Sequence, residues 1–113
     1  MADIIYIDIE SGLKRVMNNP KIYVKVLVKF KDDRNLEGIE TALAAGDIEA
    51  AQIAVHTLKG LAANLSFTEL YNQCVELEKQ IKAKSVNPDQ LASLKNTHSQ
   101  TLIEMDKVIA QYA

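Results

Sequence analysis

Apolar residues recur along the chain with the three-and-four spacing of α-helices, most clearly in its middle. Ile48, Ala51, Val55, Leu58, Ala62 and Leu65 form one stripe, with Asp47 ahead of it as an N-cap after Gly46. Phe67, Leu70, Cys74, Leu77 and Ile81 form a second stripe. Between the two, Ser66 stands three residues before Glu69, the spacing of a capping box for the second helix. Two striped helices joined this tightly predict an antiparallel hairpin. Asn87-Pro88-Asp89-Gln90 opens a last helix whose apolar face reads Leu91, Leu94, His98, Leu102, Met105, Ile109 and Tyr112. Asn19-Pro20 repeats that start signal ahead of Ile22, Tyr23, Val26, Leu27 and Phe30. A polar stretch, Lys31 to Asn35, then precedes Leu36, Ile39 and Leu43 in a shifted phase, which we read as one long helix with an exposed middle. Ile9, Leu13 and Met17 predict a short helix at the start, and Ile4 to Ile7 fits either a helix or an extended segment. The expected fold is all-α: an up-down antiparallel four-helix bundle with a short N-terminal helix, one domain over residues 1–113.

Composition narrows the function. The chain has 113 residues, 48% of them apolar, so it can build one core. With 13 Lys+Arg against 15 Asp+Glu the net charge is −2, without the basic excess that nucleic acid or a membrane surface rewards. One Cys and two His cannot complete a four-ligand zinc site, and Cys74 has no partner for a disulfide. The N-terminus has no basic region and no long apolar run, which predicts a cytoplasmic protein without direct membrane insertion. The four glycines are isolated, so no glycine-rich nucleotide loop is present.

The two histidines differ. His98 falls on the apolar stripe of the last helix, where a packed, hydrogen-bonded ring is the ordinary outcome, and it is assigned no chemistry. His56 lies one residue off its stripe and is turned away from the core. Lys59, Gly60 and Ala63 follow it at three, four and seven positions. An exposed His with a Lys one turn on is common on solvated faces. Gly60 is less ordinary, because a glycine inside a helix costs about 0.5–1 kcal/mol relative to alanine and calls for a reason such as close approach of another body. Cys74, on a stripe, is expected to be packed rather than reactive. Glu76, Glu78, Lys79 and Lys82 read as a solvated face with weak spaced pairs.

The run His56-Thr57-Leu58-Lys59-Gly60-Leu61-Ala62-Ala63-Asn64-Leu65 resembles the signature of histidine-containing phosphotransfer (HPt) domains. Cys74-Val75-Glu76-Leu77-Glu78 is similar to the family's Cys-x-x-Leu-Glu segment, and the likeness extends over residues 9 to 84, with the last helix alike only in kind. Two positions depart from the pattern: Ser66 stands where the family has Gly, and Leu61 where it often has a small residue.

The resemblance implies a phosphorelay intermediate. His56 accepts a phosphoryl group from a receiver aspartate and returns it to another receiver, Lys59 stabilises phosphoryl oxygens, and Gly60 and Ala63 give the partner access. Gln52, Ile53 and Asn64 are candidates for the docking surface, and Gln80 or Lys79 for a contact from the second helix. Expected partners are response-regulator receiver domains and a sensor histidine kinase or hybrid kinase. The chain is expected to act as a monomeric phosphocarrier without autokinase activity and to bind no cofactor, magnesium sitting on the receiver. A non-catalytic helical interaction module is the alternative, disfavoured by the retained His56, Lys59 and Gly60.

Overall fold

A computed structural model describes residues 4–112, which form six helices and no strand. These are α1 (Ile9–Arg15), α2 (Pro20–Phe30), α3 (Asn35–Ala44), α4 (Ile48–Leu65), α5 (Thr68–Lys82) and α6 (Pro88–Tyr112). Three polar side-chain caps fall where the sequence places them. The Asp47 carboxylate accepts from Ala50 N, Asn19 accepts from Lys21 N and Ile22 N, and Asn87 accepts from Asp89 N. Each satisfies a donor that the first helical turn leaves without a partner.

The single long helix expected over residues 20–43 is instead two. At Phe30 the backbone tightens, with Lys31, Asp32 and Asp33 N each donating to the carbonyl three residues back. Asp33 then accepts from both the backbone and the side-chain amide of Asn35, which restarts the chain as α3. The shifted apolar phase beyond Asn35 is the mark of this break. The initial helix is also shorter than its stripe: Met17 lies beyond α1, at φ 56° and 90% exposed. Residues 4–8 are irregular, and they are tied to the α4–α5 turn by Asp8 N donating to Ser66 O and Thr68 Oγ1 donating to Ile5 O.

Ser66 does not cap α5. It ends α4 in the left-handed conformation, φ 62°, with its own N–H donating to Ala63 O and that of Phe67 donating to Ala62 O. This is the helix-terminating turn that glycine usually serves. Its hydroxyl donates to Ser11 Oγ, while the Glu69 carboxylate accepts from Gln73.

The α4 and α5 stripes bury Ala51, Val55, Leu58 and Ala62 against Leu70, Cys74, Leu77 and Ile81. Neighbours pack α3 on α4, α4 on α5, α5 on α6 and α6 on α2, and α1 closes the ring by packing against both α2 and α4. Phe30 and Phe67 meet edge to face at 5.0 Å inside it. The buried face of α6 is rotated from the expected one: Leu94, Thr97, Thr101, Met105 and Val108 point inward, with the Thr101 hydroxyl donating to Thr97 O. That internal bond satisfies a hydroxyl that burial would otherwise penalise. Gly12 lets α1 close on Tyr23, since a Cβ there would come within 2.6 Å of the Tyr23 hydroxyl. Among the described residues no helix is long and apolar enough to cross a membrane.

Candidate phosphoryl-acceptor site

α4 carries His56 on its outer face, with the imidazole 70% exposed. Lys59, one turn on, leans inward to 23% exposure, and Gly60 opens directly to solvent. A Cβ built on Gly60 would meet nothing within 4 Å, so packing among the described residues does not demand a glycine there.

Across the hairpin, Glu78 of α5 is buried to 9% exposure and joins both residues. His56 Nδ1 lies 3.1 Å from Glu78 Oε2, and Lys59 Nζ donates to Oε1 at 2.6 Å. Burial pulls the Glu78 carboxyl upward, but the hydrogen bonds from Lys59 and His56, with the charges of Lys59 and Lys82, pull it down further, so it rests below the ordinary glutamate value. The same hydrogen bond lifts Lys59 above the ordinary lysine value against partial desolvation. Both groups are therefore charged near neutral pH. An ionised carboxylate only accepts, so Nδ1 of His56 is the donor, and in the neutral ring the lone pair falls on Nε2. The site thus presents an exposed imidazole of fixed tautomer, with its nucleophilic nitrogen away from the buried anchor.

Neither Gln80 nor Lys79, the expected second-helix contacts, lines the cleft beside His56. The Gln80 amide donates to Glu76 and accepts from Asn87 N, and Lys79 is exposed outside the cleft beside His56. Glu78, read from sequence as part of a solvated face, makes the contact instead. It stands four residues after Cys74 and adjacent to Leu77, so it lies on the flank of the buried stripe, and that spacing was the available signal.

The candidate docking residues divide between clefts. Gln52 and the 63% exposed Ile53 line a cleft of about 330 Å³ with His56, Thr57, Glu78 and Lys82. Asn64 lines another with Val26, Phe30 and Leu61, and exposed Ala63 lines a third with Asp8, Ser11 and Arg15. Cys74 is fully buried, and burial pushes its thiol up to about 12, so it is packed and unreactive at neutral pH. His98 is half-buried against Phe30, with ring centroids 5.9 Å apart, and burial lowers its ring below the ordinary value against the opposing charge of Asp33.

The family model described as "Hpt domain" matches residues 31–109. The match takes in α6 as far as residue 109, where the resemblance read from sequence was only in kind, and omits α1 and all of α2. No curated protein and no solved structure matches the chain.

Proposed function

Because the chain belongs to the Hpt domain family, whose members carry phosphoryl groups between the receivers and kinases of two-component signalling, we propose that His56 is its acceptor. In this reading a receiver aspartyl phosphate supplies the group and a second receiver takes it away. The observation that carries the reading is an exposed imidazole whose Nδ1 is held by a buried, ionised carboxylate.

The chemistry follows from that hydrogen bond. The Nε2 lone pair forms the new P–N bond while the P–O bond to the donor breaks, its electron pair leaving on the aspartate carboxylate. The ring keeps its Nδ1 proton throughout, and Glu78 offsets the positive charge the ring acquires. On return, the ring departs as neutral imidazole and needs no acid. Transfer of this loose kind depends mainly on alignment and charge compensation. Magnesium on the receiver supplies most of that charge. Lys59 steadies the site through its bond to Glu78, exposed Gly60 and Ala63 let the receiver's phosphate end approach, and Ile53 with Gln52 forms the adjoining docking surface.

We take residues 1–113 as one domain, in which the ring of helix neighbours is an up-and-down antiparallel bundle, α2 and α3 sharing one position. The domain acts as a monomer that stiffens a single imidazole and leaves the active site to its partner. Incubation with a phosphorylated receiver is expected to give an acid-labile, alkali-stable label on the wild type and none on His56→Gln. Equal labelling of that variant would refute the assignment.

A further inference from the structure

Charge around His56 is unevenly distributed. Lys59 is the nearest cation in sequence, but its ammonium is already matched by Glu78 at 2.6 Å. Glu78, in turn, is fully occupied, one oxygen on Lys59 and the other on His56. This trio sums to zero charge with the ring neutral. A phosphoryl group adds roughly −1.5 to −2 beside it. The ring's own positive charge and the receiver's magnesium offset part of this, and a cation of this chain that Glu78 does not hold can offset the rest.

Lys82 meets that description. It lies one turn beyond Glu78 on α5, is exposed, and forms no ion pair among the described residues. With Gln52, Ile53, Thr57 and Glu78 it lines the cleft that contains His56. The cleft extends from the ring towards the start of α4, whereas Lys59 is one turn towards its end, so the two lysines flank the imidazole. Lys82 is also close enough to act on Glu78 by charge. Its tether is four methylenes long, and its ammonium can turn towards an anion without breaking any ion pair.

Resting on the reading of His56 as acceptor, we propose that Lys82 is a catalytic residue that binds the phosphoryl oxygens from the Gln52 side of the cleft, Gln52 adding an amide donor. Lys59 is then mainly a positioning residue, which keeps Glu78 ionised and the His56 tautomer fixed. The division of labour separates the two lysines experimentally: one acts on phosphate, the other on the ring.

Phosphoramidate, a small donor, tests this without a receiver. Its P–N bond breaks as P–Nε2 forms, and ammonia leaves. The full chain is labelled at pH 7 as wild type, His56→Gln, Lys82→Ala, Lys82→Arg and Lys82→Glu, with thermal melts confirming that the exposed substitutions leave the fold intact. Lys82→Ala is expected to label about fivefold more slowly, Lys82→Glu more slowly still, and Lys82→Arg close to wild type. The tautomer, read from imidazole ¹⁵N shifts, is expected to be unchanged in all three. Wild-type labelling rates in Lys82→Ala and Lys82→Glu, with His56→Gln blank, would overturn this role of Lys82 alone. Labelling of His56→Gln would overturn the acceptor assignment and this proposal with it.

Discussion

If His56 is the acceptor, the bond from its Nδ1 to Glu78 leaves Nε2 to react, and the consequences can be measured one residue at a time. Glu78→Ala removes the Nδ1 acceptor and leaves Lys59 without its anion, so phosphoryl acceptance is expected to fall about tenfold or more. Glu78→Gln keeps an oxygen for Nδ1 but loses the charge, and should fall between Ala and wild type; equal rates in all three would show that the tautomer is not controlled here. The pH dependence has a definite sign. Glu78 sits below its unfolded value, so its stabilisation is present above about pH 4.3 and is lost as pH falls through the folded value. Lys59 sits above its unfolded value, so its share is lost only as pH rises past the ordinary lysine range. Gly60 separates docking from chemistry. Replacing it with Gln should raise stability by about 0.5 kcal/mol or more, because nothing crowds the site, yet slow transfer from a receiver while leaving phosphoramidate labelling unchanged. Normal receiver transfer would show that close approach at this point is not needed. His56, Lys59 and Gly60 could be read from sequence because their spacing is local. Glu78 was harder to read because its partners lie 22 and 19 residues away across the hairpin.

At the scale of elements, stripes and polar caps were legible, and turns were less so. Asp47, Asn19 and Asn87 cap by contacts within three residues, which a sequence displays directly. Ser66 matches a capping box equally locally, yet its hydroxyl is taken by Ser11, 55 residues away. The phase of α6 misled for a similar reason: the apolar stripe leaves out Thr97 and Thr101, which are buried with the Thr101 hydroxyl donating to Thr97 O. The break between α2 and α3 was visible as a phase shift, but its cause lies in the Asp33–Asn35 turn. Lys84, just beyond α5, adopts φ 55° with Ser85 N donating to Gln80 O, the same left-handed ending that Gly46 and Ser66 provide elsewhere. It is exposed, so Lys84→Gly is expected to stabilise the fold by about 1 kcal/mol through relief of that conformation. Chemical denaturation checks this, and a destabilised variant would contradict the turn geometry.

Across the whole molecule, the two histidines divide between an exposed ring, His56, and a half-buried one, His98. His98 is held below its unfolded value by burial, against the charge of Asp33. As pH falls through about 6.5 the unfolded chain takes up its proton first, so stability is expected to decline below that pH. His98→Gln should flatten the decline in melting temperature between pH 7.5 and 5.5, and parallel curves for variant and wild type would remove His98 as its source. The bundle otherwise serves to fix one ring: α4 exposes it, α5 supplies the buried carboxylate, and the remaining helices hold those two in register. The most direct test of this account is a ³¹P–¹⁵N correlation spectrum of the phosphorylated, ¹⁵N-labelled protein. The account predicts a single phosphoryl group on Nε2 of His56, with the proton still on Nδ1. Phosphorylation on Nδ1, or on any other residue, would contradict it.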